Sequence, residues 1–367
     1  MSSTLNQSEL AQSDLAAEQR DAILPDSTPV RIAVVGLGYW GPNLVRNLHE
    51  LPSADVVAVC DLEEDALGAM RRRYPAIATT TRIDDVLRDE SIEAVAIATP
   101  VSSHFPLARA ALEAGKHVFV EKPLAASSVE GEQLVELAES QKLVLMPGHT
   151  FLYSPPVDTI RRLIGDGELG EIFFISTSRV NLGLHQPDVS VAWDLGPHDF
   201  SILHYWLREA PHSVSAVSRG CILPDTPDVM FVNLEFPSQT IAHVELSWLA
   251  PSKLRRTTIV GSEKMVVYDD TSNEPVRVFD SGVVLPDPES FGEYRLTYRT
   301  GDIVSPHVGA AEPLSLEMQD FCSCIRSHQR PRSHAALGLD VVRIIEAVDR
   351  SLAQDGAKVR LPAALGH

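Results

Sequence analysis

The sequence predicts an α/β protein in two parts: a doubly wound parallel sheet, followed by an α+β portion built on an open, mostly antiparallel sheet. Three observations predict it. From residue 30 to about residue 148, short β-rich runs alternate with helical periodicities. The first of those runs ends in Gly36-Leu37-Gly38-Tyr39-Trp40-Gly41. After Phe151 the alternation stops and gives way to one helix, several two-periodic strands and two closing helices. At 367 residues the chain exceeds what one hydrophobic core usually serves, so two folded units are expected, at 30–150 and 151–367, behind a polar N-terminal tail over 1–29.

Arg31–Val35 reads as the first strand, and Pro42 followed by Asn43–Glu50 as the helix after the glycine run. Strand, G-x-G-x-x-G and helix together are the context of a pyrophosphate site in a Rossmann fold. Gly36 permits the tight turn, Gly38 the approach of phosphate, and Gly41 the packing of helix on strand, with Tyr39 and Trp40 between them. Unpaired N–H groups at the helix start attract the anion. A second strand, Asp55–Cys60, ends in Asp61, placed either to cap the next helix or to accept hydrogen bonds from ribose hydroxyls. In the second role its charge repels a 2′-phosphate, so NAD is expected over NADP.

Helices at Ala66–Tyr74 and Ile83–Arg88 precede a strand at Ala94–Ala98, which runs into Thr99-Pro100 and His104. His104 is either a capping or surface residue or a neighbour of the nicotinamide ribose. Phe105–Ala114 is helical and Gly115 stops it. His117–Val120 is a buried strand that emerges in Glu121-Lys122-Pro123 at the sheet's carboxyl edge, where such folds bind ligands. Pro123 restricts Lys122 to extended geometry and admits a cis bond. Val129–Gln141 (helix) and Val144–Met146 (strand) complete the sheet.

In the second half, Val157–Gly165 is helical, and Ile172–Val180, Val214–Ile222, Met230–Phe236, Thr240–Leu249, Arg256–Val260 and Met265–Asp269 are strands. Met230, Val232, Leu234 and Phe236 share one face, as do Ala242, Val244, Leu246 and Trp248. With helices on one side only, the other face is suited to contact between subunits. Leu314–Ser327 and Leu337–Gln354 are the closing helices, and Lys358–Leu361 a short last strand. The chemistry centres on Trp193-Asp194-Leu-Gly-Pro-His198. Asp194 and His198 lie four apart across a helix entrance, within reach of a hydrogen bond. An imidazole so oriented, with a pKa near neutral, suits a general base for a hydroxyl; the alternative is a helix cap beside a satisfied buried histidine.

Composition excludes other classes. Thirty-one basic against fifty acidic residues give a net charge of −19, which argues against nucleic acid and anionic membrane as partners. No run approaches the length of a membrane span, and residues 1–29 lack the basic start and apolar run of a signal peptide, so a cytoplasmic protein is expected. The four cysteines have neither disulfide-framework nor zinc spacing, and Asp194 and His198 lack further ligands at suitable spacing, so no metal is expected.

With Gly36–Gly41, Ala98-Thr99-Pro100, Glu121-Lys122-Pro123-Leu124 and Asp194-x-x-x-His198 in this order, the chain resembles the Gfo/Idh/MocA oxidoreductases over about residues 30–362. The resemblance implies a Rossmann domain followed by an α/β domain with an open sheet, and a homodimer or homotetramer formed through that sheet. It implies that Lys122 binds the reacting hydroxyl and the nicotinamide ribose, often with a cis bond after it, and that Asp194 and His198 form the catalytic pair. Gly148–Pro155, Val180–Leu184, Trp193–His198 and Trp248–Arg255 are similar to segments of nucleotide-sugar oxidoreductases that oxidise C3 of a UDP-hexose or UDP-N-acetylhexosamine. Tyr153, Arg179 and Asn181, with Lys253 and Arg255, are the candidates for substrate contact. Inositol, free-sugar or sugar-phosphate dehydrogenases and 3-ketosugar reductases share the same core chemistry, and a non-catalytic NAD-binding regulator is the alternative of a different class.

Overall fold

A computed structural model describes residues 28–183, 189–284 and 297–362. Most of the tail expected over 1–29, and Leu184 of the Val180–Leu184 segment, lie outside the described residues. The first sheet has six parallel strands in the order β3-β2-β1-β4-β5-β6. They are β1 (Val30–Val35), β2 (Ala54–Cys60), β3 (Ala78–Thr80), β4 (Ala94–Ile97), β5 (His117–Glu121) and β6 (Leu145–Gly148). Between them run α1 (Gly41–Glu50), α2 (Glu64–Arg73), α3 (Ile83–Arg88), α4 (His104–Glu113) and α5 (Ser128–Gln141). Strands buried on both faces need apolar residues throughout, which is why β4 reads Ala-Val-Ala-Ile with all four buried. β3, three residues long, has too little pattern to be anticipated.

The second sheet has nine strands in the order β14-β13-β12-β11-β7-β10-β9-β8-β15. Its members are β7 (Ile172–Leu182), β8 (Ser213–Arg219), β9 (Val229–Glu235), β10 (Ile241–Ser247), β11 (Leu249–Gly261), β12 (Met265–Asp269), β13 (Val276–Val284), β14 (Thr297–Val304) and β15 (Val359–Arg360). Among the described residues only β7 and β10 pair in parallel there; the remaining pairs are antiparallel. Met230, Val232 and Leu234 of β9 and Ala242, Val244 and Leu246 of β10 are all fully buried, so the two-residue period points their face at the core. The opposite face exposes Phe174, Val217, Phe231 and Ile241. β13 and β14 were not anticipated, because Arg277, Asp280 and Ser281, and Arg299 and Asp302, interrupt the apolar alternation.

The second half also contributes α6 (Pro155–Gly165), α7 (Val191–Asp194), α8 (Gly196–Leu207), α9 (Pro313–Ser327) and α10 (Ala335–Leu352). The last two return to the first sheet. Phe321 of α9 meets Phe119 of β5 at a ring separation of 6.0 Å. Leu339 and Val342 of α10 join the apolar cluster formed by Ala33 and Val35 of β1 with Ala108 and Leu112 of α4 and Leu134 of α5. Glu346 of α10 accepts hydrogen bonds from the backbone N–H and the hydroxyl of Ser128 at 2.7 and 2.6 Å, placing a carboxylate at the start of α5.

Candidate active site

The glycine loop is shaped for a dinucleotide. Gly36 has φ +89°, and a Cβ there would lie 2.6 Å from the Ala98 carbonyl oxygen; at Gly41 it would lie 2.0 Å from that of Gly36. At Gly38, by contrast, a Cβ would meet nothing within 4 Å, so this part of the loop is open to a phosphate. Tyr39 is 83% exposed and packs edge-on against Trp40 beside the opening. Asp61, at the end of β2, accepts hydrogen bonds from Leu37 N at 2.5 Å and Glu63 N at 2.9 Å. It therefore fixes the glycine loop and caps the approach to α2 while retaining lone pairs for a ribose. These residues fit NAD: an open anion cradle at a helix start, and a carboxylate where a 2′-phosphate would otherwise sit.

The strand ends of β5 and β6 carry the reactive groups. The peptide bond between Lys122 and Pro123 is cis. Lys122 Nζ, on a side chain only 14% exposed, donates to the Asp194 carbonyl at 2.8 Å and faces Asp194 Oδ1 at 3.4 Å. Asp194 Oδ2 accepts from the Trp248 indole N–H at 3.0 Å. The carboxylate thus ties the first sheet's edge to the second sheet, and the expected hydrogen bond between Asp194 and His198 is not formed. The reason is local: α7 ends at Asp194 and α8 starts afresh at Gly196, so the four-residue spacing does not stay on one continuous helix.

His198 sits in the first turn of α8, with its Nδ1 buried and lacking a hydrogen-bond partner among the described residues. Its ring lies 4.9 Å from that of Phe151, which is flanked by the guanidinium groups of Arg179 (4.6 Å) and Arg255 (5.3 Å). Burial, and then the charges of Lys122 and Arg179 with His149 and Arg255 beyond, push the His198 pKa well below the ordinary value and not near neutral as expected. The imidazole is consequently a neutral base throughout the usual working range.

Several expected site residues are placed differently. Tyr153 is buried, donating its hydroxyl to Asp320 at 2.6 Å and accepting from Ser333 N at 3.1 Å, so it anchors the turn after β6 to α9 and does not face a substrate. Arg179 is also buried, held by Asp199 through Nε at 2.5 Å, and reaches the site only through Phe151 and His198. His104 is buried between the carbonyl oxygens of Pro123 (2.8 Å) and Thr99 (2.9 Å). It braces the Thr99-Pro100 turn against the Lys122–Pro123 bond; a neutral ring donates to one of the two. Thr99 itself accepts from the Ser103 hydroxyl at 2.7 Å. Asn181 lies half-buried in β7, Lys253 is exposed on β11, and Arg255 pairs with Asp270 at 3.1 Å.

Glu121 is buried behind Lys122, in register with Gly148, and burial pushes its carboxyl up to about 7 against the pull of Lys122. An acid raised in the folded state contributes stability that is complete below its ordinary pKa of 4.5 and lost as pH rises through about 7. Glu121→Gln is therefore expected to gain on the parent by up to ~3 kcal/mol between about pH 4 and pH 8. Melting curves of both proteins across that range check it; an unchanged difference between them would refute the assignment.

Sequence reasoning did not single out His149, Phe151, Asp199 or Trp248. The available signal for His149 was its place directly after the last parallel strand, the same position that recommended Lys122 after the strand before it.

Comparison with known proteins agrees with this geometry. Residues 30–149 match the model described as "Oxidoreductase family, NAD-binding Rossmann fold", and residues 157–267 match the "GFO/IDH/MocA C-terminal domain". A 2,7-anhydro-N-acetylneuraminate hydratase of Mediterraneibacter gnavus is 28% identical over 230 residues, or 59% of this chain and 61% of that protein. The chain thus spans about three-fifths of the length of the first curated relatives it matches. A scyllo-inositol 2-dehydrogenase (NAD(+)) of Bacillus subtilis is 26% identical, covering 82% of this chain and 88% of that one. Among solved structures, the UDP-N-acetylglucosamine 3-dehydrogenase GnnA of Acidithiobacillus ferrooxidans superposes with a TM-score of 0.76 at 21% identity, over 89% of this chain and 98% of that one. No helix among the described residues is long and apolar enough to cross a membrane. With a dinucleotide cradle on one sheet and Lys122 joined to Asp194 across to the other, and with both halves matched by its models, this chain belongs to the Gfo/Idh/MocA family of NAD-binding oxidoreductases.

Proposed function

We propose that the protein is an NAD-dependent dehydrogenase moving a hydride between a secondary alcohol of a sugar and NAD, with C3 of a nucleotide-linked hexose as the reacting position. The observation that carries this reading is the Lys122–Asp194 pair beside a neutral, partly buried His198 at the carboxyl edge of the parallel sheet. Bound NAD supplies the hydride acceptor. Lys122 donates to the reacting oxygen and stabilises the negative charge that grows there as the proton leaves. Asp194 holds that ammonium in place, and His198 takes the proton at Nε2, its Nδ1 being shut away from the site. The loop from Gly36 to Gly41, Asp61, Thr99 and Pro100 hold the cofactor, with Glu121 behind the nicotinamide end; Asn181, Lys253 and Arg255 remain as substrate contacts.

Residues 30–150 are read as the NAD-binding domain and 151–367 as the substrate-binding and oligomerisation domain, with the exposed aromatic and aliphatic face of the nine-stranded sheet as the contact of a dimer or tetramer. A second reading, an inositol or free-sugar dehydrogenase, is favoured by the Bacillus subtilis relative. The test mixes the protein with NAD⁺ and UDP-sugars, TDP-sugars, inositols and free sugars and follows absorbance at about 340 nm, the band of reduced nicotinamide. Silence with every compound, in both redox directions, sinks the proposal. Because His198 is depressed below its ordinary pKa of 6.5, the acid limb of kcat/KM should lie below that pH; a limb at or above it would contradict the role given to His198.

A further inference from the structure

A carboxylate does not fix its own plane. The torsion that turns the two oxygens of an aspartate is broad, so the surroundings decide which oxygen meets which partner. At Asp194 the decision falls to an indole. Asp194 Oδ2 accepts from Trp248 Nε1 at 3.0 Å, which leaves Oδ1 facing Lys122 Nζ at 3.4 Å. The Asp194 carbonyl accepts from the same ammonium at 2.8 Å. An ammonium has three N–H donors, and these two contacts leave one for a substrate oxygen.

Trp248 is itself held in place. It is the single residue between the end of β10 at Ser247 and the start of β11 at Leu249. Its backbone N–H donates to the Asp228 carbonyl at 3.0 Å, and its own carbonyl accepts from Gly183 N at 3.0 Å. The side chain is buried, and a Cβ on Gly183 would collide with the indole, so only glycine there admits the ring. An indole N–H donates and never accepts, and when buried it needs a partner. With a carboxylate as that partner the bond is charge-assisted. The backbone beside Asp194 is held separately: Trp193 Nε1 donates to Asp349 Oδ2 at 2.9 Å, which pins α7 to α10.

We propose that Trp248 is the positioning residue for Asp194, its indole N–H fixing the carboxylate plane so that Oδ1 stays on the Lys122 ammonium and the third N–H of Lys122 points at the reacting oxygen. This rests on the role given to Lys122 above. With Oδ2 occupied by the indole, Asp194 cannot turn to take the substrate proton, and that task is left to His198. The second sheet thereby sets the direction of a lysine carried by the first.

The test compares the parent with Trp248→Phe, Asp194→Asn and the double variant. With the sugar that the panel identifies, kcat for Trp248→Phe should fall roughly 10–100-fold, the scale of one hydrogen bond to a charged group, with KM within about threefold. On the Asp194→Asn background the same substitution should cost less than about threefold, because the plane it fixes no longer carries the charge that holds Lys122. A ring missed only by the core would cost the same on both backgrounds. Gly183→Ala, which keeps the tryptophan but displaces its ring, should repeat the loss, and it replaces Trp248→Phe if that variant does not fold. Nitrogen-15 NMR of the four indole N–H groups needs no turnover. The signal that Trp248→Phe lacks, or that Gly183→Ala moves, should shift upfield in Asp194→Asn as the charged acceptor is lost. A kcat equal to the parent's, equal costs on the two backgrounds, or an indole signal unmoved in Asp194→Asn overturns the proposal. If no compound of the panel is oxidised while that signal still moves, the hold of Trp248 on Asp194 stands and the dehydrogenase reading falls instead.

Discussion

Lys122→Met is expected to lower kcat for NAD-linked oxidation by about 10³-fold, the scale of removing both a charge-stabilising donor and its orientation. NADH affinity, measured by fluorescence titration, should change by less than about tenfold, because the glycine loop and Asp61 lie two and three strands away from β5 in the sheet. The substitution has a second signature. Lys122 is the leading charge that lowers both His198 and His149. Without it both imidazoles titrate at higher pH, so the acid limb of the residual activity should move upward. A variant that keeps its rate, or loses it with the limb unmoved, would show that Lys122 does not act on the reacting oxygen beside His198.

Asp199→Ala should cost about 3–5 kcal/mol of stability, the largest effect expected away from the reacting groups. Asp199 accepts from Arg179 Nε at 2.5 Å and from the Thr177 hydroxyl at 2.9 Å, all three residues being buried. Removing the carboxylate leaves a guanidinium in the core whose Nη1 already lacks a partner among the described residues. Urea unfolding should show the loss, and Arg179→Met on the Asp199→Ala background should restore a large part of it. If the double variant is no more stable than the single one, the cost does not come from the unpaired charge.

The first sheet was legible because its signals are local: apolar runs of strand length, a glycine fingerprint that works by backbone shape, and a proline that restricts the backbone of Lys122. The second sheet was legible where the two-residue period survives, as in β9 and β10, and illegible in β13 and β14, where charged residues fall on the pattern. In the site, Lys122, Asp194 and His198 were found, but their mutual contacts were not. Spacing along a helix suggested that Asp194 holds His198, whereas the carboxylate reaches Lys122, seventy-two residues away, and Trp248, fifty-four away. Arg179 looked like a strand-end charge free for substrate until α8 placed Asp199 against it. Pairings between distant segments depend on how the two sheets meet, and no local pattern encodes that.

The return of α10 to the first sheet bears on the order in which the chain can fold as it is made. Leu339 and Val342 fill the cluster under β1, and Glu346 adds a carboxylate at the start of α5, yet all three leave the ribosome roughly two hundred residues after α5 and three hundred after β1. A nascent chain that has exposed only its nucleotide-binding half therefore carries an apolar gap, and an α5 whose Ser128 lacks its carboxylate partner and keeps only the local cap from Ser127. Its cooperative unit closes only once α10 has been made, and a stop before Ala335 strands the earlier half without its last wall.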